Sequence, residues 1–583
     1  MFLKKVRIMN YYTYKQYLAD KFGEELYKIP IDFNTGCPNR DSEGLGGCTF
    51  CPENGNRAAQ ITGLNTVRDQ VNAAIKFSKK RYKANKFMAY IQAYTAFFSK
   101  EWQKKYLEIL NEFEFDALSI GTRPDCINQD TIEFVKQLNI PVIIELGVQT
   151  LNDISLLKIN RGHDSDRSLK AVQFLNDNNI EVAVHLIIGL PNETIDDNIL
   201  TVKKLSHFKL AGIKFHNLHI IEGTNLAREY EKENFNIYTE NQYAEILIEL
   251  FKYVPGDIPI LRVCTDTEIE KLIAPKWHMN KGQFTEYFNS LLKFRDVYQG
   301  QLTDKAYNPL KVDNYDKTIT DDGSITLFSN DFKEKYHCHA GALMESVKKY
   351  IEPSGFEKLI KQNDLHILDI CFGLGYNSYS SVKTASGFKN KIKITCLEID
   401  RRVVKKASEI EYADKWWSNV LRNLYDWANF VYLNCELEMK WGDARFSIET
   451  LKGKYDIIYL DAFSTQKNSE LWTLDFIKKI KRVIKDNGVV LTYCAAIPVR
   501  KAFIEAGFFI GETVAAGRDR GGTIASLDPS KIEIQIPLKD YELFKTTKGI
   551  VYRDPYSTYT NREILKNREF EVVKFKKIDE AEY

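Results

Sequence analysis

The chain has 583 residues, of which 44% are hydrophobic and 27% charged, so it is predicted to be soluble, globular and divided into two or more domains. Its formal net charge of +2 neither requires nor excludes a polyanionic partner. No apolar run approaches the roughly 18 residues that a membrane helix needs, and the N-terminal residues lack the features of a signal peptide. Ten cysteines are too sparse for a disulfide scaffold, so we expect a cytoplasmic protein with no membrane partner.

Between residues 28 and 266, short β-rich segments alternate with helical patterns. The segments with strand character are, in chain order, YKIPIDF, MAYIQAY, ALSIGTR, PVIIELGVQ, EVAVHLIIGLP, GIKFHNLHI and PILRVCTD. This alternation is typical of βαβ units, and the number of units predicts a full or partial (βα) barrel around a parallel sheet. Active sites of such barrels lie at the C-terminal ends of the strands.

One segment of this half, KFSKKRYKANK, concentrates basic side chains between Lys76 and Lys86, around Tyr82. Such a cluster is compatible with a surface that contacts the phosphates of a nucleic acid. The sequence alone favours the simpler interpretation, the solvated face of a helix.

Three cysteines, Cys37, Cys48 and Cys51, follow the first predicted strand within the stretch GCPNRDSEGLGGCTFCPENG. The glycines of this stretch allow the backbone to wrap tightly around an inorganic cluster. Three thiolates can hold a cluster or a metal ion while one coordination position stays open for chemistry. Two alternatives remain at this point: a zinc site, for which no fourth ligand lies nearby in the sequence, and three unrelated buried thiols.

The motifs around these cysteines resemble one subgroup of the radical S-adenosylmethionine (SAM) superfamily. That subgroup has the same spacing of ten residues and then two, within CPNRD…GGCTFC. Its members share the segments YYTYKQYLADKFGEELYKIPID, YIQAYT, IGTRPDC, ELGVQT, INRGH and GLPNET, all of which occur here in order. The resemblance covers residues 10 to 290.

This resemblance implies a [4Fe-4S] cluster on Cys37, Cys48 and Cys51, with SAM chelating the fourth iron through its amino and carboxylate groups. An electron donor such as flavodoxin or ferredoxin would supply the electron that cleaves SAM to a 5′-deoxyadenosyl radical. Gln149 and Arg161 match positions that contact SAM in related barrels. The alternative for these two is that polar residues at strand ends tie loops together.

Three further residues lie near the ends of the predicted strands. Where related barrels often carry an acid before LIxGLP, this chain has His185. Cys126 and Cys264 are interpreted as buried bystander thiols, with hydrogen-atom donation as the alternative.

Around residues 296 to 324 the alternation stops and the sequence becomes polar and rich in turn formers. We predict a first domain over residues 1–298, a linker over 299–322 and a second domain over 323–583. The second domain contains a new series of strand-like segments: LHILDICFG, IKITCLEID, FVYLNCELEMKWGDA, YDIIYLDAF and GVVLTYCAA. The glycine-rich turn after the first of them is typical of a Rossmann-like α/β fold.

That turn, in LHILDICFGLGYNSY, places Asp369, Gly373 and Gly375 directly after a strand. Glu398 ends the next strand, where a carboxylate can accept hydrogen bonds from a ribose diol. Asp443 ends a later strand, where a carboxylate can bind an adenine amino group. This order and spacing are those of class I SAM-dependent methyltransferases. A nicotinamide-binding domain would more often show the third glycine of G-x-G-x-x-G.

Three segments of the second half, TLFSNDFKEKYHCHAGALMES, LDAFSTQKNSELWT and AAGRDRGGTIAS, narrow the family. They resemble the methyltransferase half of the bifunctional bacterial enzymes that complete 5-methylaminomethyl-2-thiouridine at the tRNA wobble position, over residues 305 to 560. The resemblance implies that Asp461 orients or deprotonates an aminomethyl group attacking the SAM methyl, and that Phe463 walls the pocket. No motif for the flavin-dependent oxidase half of those enzymes follows here.

Together the two resemblances predict an enzyme with two SAM sites that acts on a tRNA with a modified wobble uridine. The radical half would convert 5-carboxymethylaminomethyl-(2-thio)uridine to 5-aminomethyl-(2-thio)uridine, and the second half would methylate the exposed amine. Hydrogen abstraction from the CH2 beside nitrogen, a further one-electron oxidation and hydrolysis of the imine would release that amine. Two alternatives stay open: a radical half with an unrelated RNA or small-molecule substrate, and a non-enzymatic iron-sulfur protein that binds RNA or senses iron.

Overall fold

A computed structural model of the protein describes residues 9–41, 46–52, 63–64, 66–92, 94–233, 235–267, 269–307, 315–515 and 520–581. The chain divides into two compact units: Met1–Lys293 with Val297–Leu310, and Phe294–Asp296 with Lys311–Tyr583. The predicted linker boundaries stay a prediction. Residues 308–314 of that linker lie outside the described residues, and Tyr315–Ile319 form a strand of the second unit. Among the described residues, no helix is long and apolar enough to span a bilayer.

The first unit is built around one parallel sheet. Its described strands are β1 (Leu26–Ile31), β2 (Lys86–Ile91), β3 (Ala117–Thr122), β4 (Val142–Gln149), β5 (Glu181–Ile188), β6 (Leu210–Asn217), β7 (Ile220–Ile221), β8 (Ile260–Arg262) and β9 (Leu272–Ala274). Seven of them pair in the order β1-β2-β3-β4-β5-β6-β8, and every neighbouring pair is parallel. The sheet curls into a half barrel, which confirms the predicted partial (βα) barrel. All seven C-terminal strand ends therefore lie at one edge.

Helices connect most of these strands, as the alternating pattern predicts. They are α1 (Tyr14–Phe22), α2 (Val67–Tyr82), α3 (Lys100–Glu112), α4 (Gln129–Lys136), α5 (Asp153–Lys158), α6 (Ser165–Asp177), α7 (Ile195–Leu205), α8 (Asn225–Glu233), α9 (Glu240–Phe251) and α10 (Lys281–Phe294). Asn128, Thr194 and Thr239 start α4, α7 and α9 with reciprocal capping boxes, which satisfy amides that the first helical turn leaves unpaired.

Apolar side chains close the N-terminal end of the barrel. Tyr14 and Leu18 of α1 pack against a cluster from the beginnings of the strands, formed by Leu26, Met88, Ala117, Ile143, Ala183 and Ala211. Burial of this cluster removes apolar surface from water, which is the main force that holds α1 in place. The polar side chains of the inner face begin beyond this layer, toward the C-terminal strand ends.

The second unit contains a mixed eight-stranded sheet and a small antiparallel sheet. Its described strands are β10 (Tyr315–Ile319), β11 (Ile325–Ser329), β12 (Glu334–Lys335), β13 (Leu365–Ile370), β14 (Ile392–Glu398), β15 (Asn429–Tyr432), β16 (Cys435–Trp441), β17 (Tyr455–Leu460), β18 (Ile484–Thr492), β19 (Phe509–Glu512) and β20 (Thr523–Ser526). The large sheet has the order β15-β16-β14-β13-β17-β18-β20-β19, with parallel pairs in its centre. The strand order reverses between β13 and β17, which is where ligands bind in folds of this kind.

Helices cover both faces of this sheet, and buried apolar clusters lie on each side of it. They are α11 (Ala342–Ser346), α12 (Phe356–Gln362), α13 (Tyr376–Ala385), α14 (Arg401–Ser408), α15 (Trp416–Trp427), α16 (Ala444–Ser447), α17 (Leu474–Val483), α18 (Ile497–Glu505), α19 (Leu538–Leu543) and α20 (Asn561–Ala581), with a π-helical turn at Val347–Ile351. The predicted Rossmann-like fold is confirmed.

Candidate active sites

The three cysteines lie in the loop after β1. Cys48 is buried, Cys37 and Cys51 are partly exposed, and all three thiols are free of disulfides. The Cys51 amide donates to the Cys48 carbonyl at 3.0 Å, so a tight turn joins the second and third cysteines. Gly46 and Gly47 have φ values of +84° and +88°, which glycine adopts without strain. Residues 42–45 of the predicted glycine-rich wrap lie outside the described residues.

Two guanidinium groups face the Cys48 sulfur. Nη1 of Arg161 lies 3.3 Å from Cys48 Sγ, and Nη1 of Arg123 lies 3.9 Å from it. Two hydrogen bonds to the Asp125 carboxylate, at 2.8 and 2.9 Å, fix Arg123, which also donates to the Arg161 carbonyl at 2.6 Å. Positive charge at this distance favours the thiolate, the form of cysteine that binds metals and clusters.

Hydrogen bonds clamp the cysteine loop onto the segment after α5. Asn39 donates to the Asn160 carbonyl at 2.6 Å, and the Asn160 side chain donates to the Gly47 carbonyl at 2.8 Å. The Thr49 amide donates to the Ile159 carbonyl at 2.9 Å. Because Arg161 follows this segment directly, the clamp holds its guanidinium against the cysteines.

The donor set of this loop suits a [4Fe-4S] cluster. The charges of Cys37, Cys48 and Cys51 lie close enough to interact. However, no three His, Cys, Asp or Glu side chains in the described ranges surround a single metal position. Each thiolate of a [4Fe-4S] cluster binds a different iron, so its sulfurs do not need to converge on one point, whereas the ligands of zinc do. The residues present therefore fit a cluster with one iron that lacks a protein ligand.

Gln149 ends β4 in a strained backbone conformation. Its φ is +70°, and the register with β5 shifts between Gly147 and Gln149. A bulge of this kind re-aims a side chain at a strand end, and strained backbones cluster at functional sites. Glycine at 147 leaves the necessary room, because a Cβ there would lie 2.8 Å from Gln149 Nε2 and 3.0 Å from Arg161 Nη2. Among the described residues, the buried Nε of Arg161 has no hydrogen-bond partner, so it can donate to a ligand. The predicted contact of Arg161 with SAM stays a prediction.

A charged network lies deeper in the barrel, centred on the fully buried Glu145 of β4. Its Oε1 accepts hydrogen bonds from Lys28 and Ser119, at 2.5 and 2.6 Å. Its Oε2 accepts from His185 at 2.7 Å and from Tyr90 at 3.2 Å. Burial opposes ionisation of Glu145, but the nearby cations hold its pKa well below the usual value. His185, which stands where related barrels often have an acid, therefore binds a carboxylate of the protein itself.

The remaining two cysteines near this site carry neutral thiols. Burial raises the pKa of Cys126 and of Cys264 to about 12. Their interpretation as buried bystander thiols, with hydrogen-atom donation as the alternative, stays a prediction.

In the second unit, the loop after β13 has the form of a nucleotide-binding turn. Gly373 and Gly375 have φ values of +55° and +79°. A Cβ on Gly373 would lie 3.1 Å from the Tyr336 ring, and a Cβ on Gly375 would lie 2.6 Å from the Phe372 ring. Helix α13 begins directly after the turn, so its first amides point toward the space in front of the loop.

Two buried carboxylates border this turn. Asp369 accepts a hydrogen bond from Ser378 Oγ at 2.6 Å on Oδ2, while its Oδ1 is buried without a partner. Glu398 accepts from the amides of Gly373 at 2.8 Å and Asp400 at 2.8 Å. Burial raises the pKa of Asp369 and of Glu398 to about 7. Each carboxylate keeps unused acceptor sites, which fits the predicted binding of SAM.

Unlike Asp369 and Glu398, Asp443 is paired with an arginine. It is the N-cap of α16, and Arg445 binds its carboxylate through the amide at 2.9 Å and the guanidinium at 2.6 Å. Arg445 also pairs with Asp554 at 2.7 Å. Since the bidentate pair occupies most acceptor sites of Asp443, the predicted contact with adenine stays a prediction.

Asp461 follows β17, the strand beside β13. Its Oδ2 accepts a hydrogen bond from Asn377 Nδ2 at 2.9 Å, and its amide donates to the Ile370 carbonyl at 3.1 Å. Desolvation raises the pKa of Asp461 to about 6, although Tyr350 and Asn377 oppose the rise. A carboxylate with a pKa this close to neutrality can take and release a proton.

Aromatic rings line the space between Asp461 and the glycine turn. Phe463 stacks on Phe332 with ring centroids 4.7 Å apart and meets Tyr336 edge-on at 4.8 Å. The Phe463 carbonyl accepts a hydrogen bond from the buried Trp472 indole at 2.7 Å. This wall excludes water from the region where Asp461 lies, which strengthens any electrostatic interaction made there.

Several of these residues were absent from the sequence-based site. Three of them lie within motifs quoted above: Arg123 in IGTRPDC, Asn39 in CPNRD and Asn160 in INRGH. Their position within a motif was the signal that could have identified them as site residues. Glu145 and Tyr336 also lie within quoted motifs, ELGVQT and TLFSNDFKEKYHCHAGALMES, but these motifs do not show their roles, which depend on residues from distant strands.

Comparison with known proteins supports the division of the chain. Residues 31–205 match the radical SAM superfamily, residues 210–293 match the radical SAM C-terminal domain, and residues 406–528 match a family of S-adenosyl-L-methionine-dependent methyltransferases. The chain is similar to the protein YtqA of Bacillus subtilis, with 31% identity over 50% of this chain and 92% of YtqA.

Two further similarities are to proteins named MnmC and MnmC2. The tRNA 5-methylaminomethyl-2-thiouridine biosynthesis bifunctional protein MnmC of Leptospira interrogans is 25% identical over 37% of this chain and 36% of its own length. The crystal structure of MnmC2 from Aquifex aeolicus is 30% identical, covers 51% of this chain and 93% of that chain, and has a TM-score of 0.41. With YtqA matched over nearly its whole length and a methyltransferase model matched separately, the chain belongs to the radical SAM superfamily and carries a SAM-dependent methyltransferase domain as an enzyme fusion.

Proposed function

We propose that this enzyme modifies the wobble uridine of tRNA in two successive steps. The radical SAM unit converts 5-carboxymethylaminomethyl-(2-thio)uridine to 5-aminomethyl-(2-thio)uridine, and the methyltransferase unit then forms 5-methylaminomethyl-(2-thio)uridine. The name of the similar MnmC protein, which concerns biosynthesis of 5-methylaminomethyl-2-thiouridine, supports the methylation step. The joining of the two domains in one chain supports the order of the steps, because the first supplies the amine that the second requires.

The observation that carries the proposal is the partly buried Asp461 behind its aromatic wall. A primary amine is mostly protonated at neutral pH and cannot attack a methyl group until it loses that proton. Asp461, with a pKa of about 6, is suited to orient the ammonium and accept its proton. Phe463 and Tyr336 supply an apolar wall that accommodates a flat base and keeps water away from the methyl group.

In the first unit, Cys37, Cys48 and Cys51 would hold the cluster, and Gln149 and Arg161 would orient SAM beside it. When bound, the cluster and SAM supply a radical able to abstract hydrogen from the CH2 next to the substrate nitrogen. Arg161 and Arg123 offset the negative charge of the thiolates in the nearly buried loop. A flavodoxin or ferredoxin would deliver the electron to this unit.

A tRNA partner requires a surface for phosphates, for which α2 is our candidate. The exposed cations Lys76, Lys80 and Lys83 form no ion pair within the described ranges. Phe77 and Tyr82, beside them, are about half exposed, at 49% and 48%. Basic side chains interleaved with aromatic rings can contact both the phosphates and the bases of RNA.

Nucleoside analysis of tRNA tests the two-step proposal. We expect cluster-loaded protein, SAM and a reductant to convert tRNA carrying the carboxymethylaminomethyl group to the methylaminomethyl form. Breaking the cysteine triad should leave the carboxymethylaminomethyl precursor, whereas Asp461→Asn should accumulate the aminomethyl intermediate. Formation of the methylated nucleoside from that precursor by a Cys48→Ala protein would contradict the assignment of the first step.

A further inference from the structure

The inner face of the barrel carries a row of basic residues that the proposed chemistry leaves unused. His185 of β5, Lys214 of β6 and Arg262 of β8 are register partners across three adjacent parallel strands. Side chains paired in this way point to the same face of a sheet. Like charges directly opposite each other destabilise a sheet unless an anion lies between them.

Glu145 neutralises this row only in part: it binds His185 closely, and its contact with Lys214 is longer. Its carboxylate offers about four acceptor sites, and Lys28, Ser119, His185 and Tyr90 already supply four donors at 3.2 Å or less. Lys214 reaches Glu145 only at 3.4 Å, the longest contact of the set.

Lys214 and Arg262 consequently keep donor capacity beyond their contacts with the described residues. The Lys214 ammonium has three donors, and its other contact is the Tyr90 hydroxyl at 3.1 Å. Arg262 donates to Thr265 Oγ1 at 3.3 Å and forms no ion pair with an acid in the described ranges. The nearest acid along the chain from it, Asp266, lies 4.0 Å from Lys281 instead.

A third donor lies one step closer to the C-terminal strand ends. His216 is two residues beyond Lys214 on β6, so its side chain shares the same face. Its ring is 5.5 Å from that of His185, and among the described residues its buried Nε2 has no hydrogen-bond partner. Buried donors in native structures normally have partners, so an orphaned one points to a ligand.

We infer that Lys214, Arg262 and His216 form a binding site for a carboxylate, which is the carboxylate of the substrate's carboxymethylamino arm. This inference rests on the proposed function for the identity of the arm. Burial lowers the pKa of Lys214 to about 7, with Glu145 opposing the shift and Arg262 and Lys28 adding to it. A second anion beside the ammonium would favour its charged form. Anchoring the carboxylate would present the adjacent CH2 toward the strand ends, where the cysteine loop lies.

Binding measurements test the site apart from turnover. The probe is an anticodon stem-loop with 5-carboxymethylaminomethyluridine, compared with its methyl ester, which has no charge. The cluster-loaded, full-length protein should bind the carboxylate form about tenfold more tightly or more, as expected for charge-assisted hydrogen bonds. That preference should disappear in Arg262→Gln and in Lys214→Gln, and it should persist in Lys209→Gln, a matched change at an exposed lysine before β6.

Each outcome has a separate meaning. Iron content and SAM affinity should match those of the unmodified protein, which shows that the variants fold. If the variants instead lose SAM affinity in this unit, the site holds the SAM carboxylate and the inference is wrong. Equal binding of the acid and the ester by the unmodified protein would also overturn it. If the preference exists but no carboxymethyl group is removed, the proposed function fails and the carboxylate site stands.

Discussion

In the first unit the Cys48 sulfur faces the guanidinium groups of Arg161 and Arg123, whereas in the second unit Asp369, Glu398 and Asp461 lie at neighbouring strand ends. None of these three carboxylates forms an ion pair with a cation among the described residues.

Under the proposed function, the contrast follows from what each unit would hold. A cluster on the three thiolates would be anionic, so cations around the cysteine loop would stabilise the filled site. The sulfonium of SAM is cationic, so the carboxylates of the methyltransferase unit would favour its binding. SAM would thus bind beside cations in the first unit, where the cluster is the dominant charge, and beside carboxylates in the second, where its own sulfonium is.

The strongest way to separate the two sites is to remove a thiol. Cys48→Ala should abolish the binding of about four irons per chain and the visible absorbance of the cluster, because two thiolates do not hold it. Methyl transfer to tRNA that already carries the aminomethyl group should continue, since the second unit has its own core. Iron analysis after anaerobic reconstitution and a methyl-transfer assay provide the measurements. Cys264→Ala, which removes a buried neutral thiol, should keep its iron, and loss of methyl transfer in Cys48→Ala would contradict independent sites.

The second-largest effect is expected on methyl transfer, when the second unit loses its proton acceptor. Asp461→Asn keeps the shape of the side chain but cannot take a proton from the ammonium, so methyl transfer should slow by about 10²–10⁴-fold. Single-turnover rates with aminomethyl tRNA measure the effect, and SAM affinity should be retained. Asp486→Asn, at a residue whose side chain is 94% exposed, is the matched control. A rate within about threefold of normal would remove Asp461 from the chemistry.

The ribose contact should have a smaller effect. Glu398→Ala removes a charge-assisted hydrogen bond worth about 1.5–3 kcal/mol, so SAM affinity should fall roughly tenfold or more. Calorimetry on a Cys48→Ala background isolates the methyltransferase site. Glu436→Ala, on the neighbouring β16, should leave the affinity unchanged. Equal affinities for all variants would place SAM elsewhere in this unit.

The opposite pKa shifts of Asp369 and Glu145 predict opposite pH dependences of their contributions to stability. Asp369 has a raised pKa of about 7, so its contribution is present below its unfolded pKa and is lost as pH rises through about 7. Glu145 has a lowered pKa, so its contribution is present above its unfolded pKa and is lost as pH falls. In thermal unfolding of SAM-free protein, Asp369→Asn should stabilise most at high pH, whereas Glu145→Gln should destabilise most near neutrality. The same pH trend in both variants would refute the contrast.

The smallest expected effect concerns the glycine turn. Cys371 has a φ of +67°, where glycine is favoured, so Cys371→Gly relieves strain but adds flexibility to the unfolded chain. The relief of backbone strain and the added entropy of the unfolded chain are of similar size, so the free energy of unfolding should change by less than about 1 kcal/mol. Denaturant unfolding measures this change, and methyl transfer should persist. Cys371→Val, which cannot relieve the strain, should clearly lower the free energy of unfolding. An unchanged free energy of unfolding in Cys371→Val would mean that the turn tolerates any residue.

Much of the fold could be predicted because its signals are local. The alternation of apolar segments and helical patterns reflects the strand and helix periods, which act over a few residues. Glycines at 373 and 375 appear in the sequence as a turn and adopt that turn in the structure. The order of the strands across each sheet then follows from the connections that parallel strands permit.

The aromatic wall appeared in the sequence only as separate motifs. Phe463 lies in LDAFSTQKNSELWT, and Phe332 and Tyr336 lie in TLFSNDFKEKYHCHAGALMES, more than a hundred residues earlier. Only the fold brings the three rings together. In the sequence, Asp443 is an acidic residue at a strand end, like Asp369 and Glu398. In the structure, Arg445, two residues later, binds its carboxylate. Such pairings depend on the direction of side chains, which sequence spacing near a strand end does not fix.

By itself, the sequence determined that three thiols share one loop, that a glycine turn follows a strand, and that two α/β domains lie in one chain. Only the tertiary structure decided the charge around each site. The row of Lys214 and Arg262 and the buried Glu145 come from separate strands, and each residue alone is an ordinary polar position. The curled parallel sheet brings them to one interior, where the low dielectric makes their number and pairing decisive.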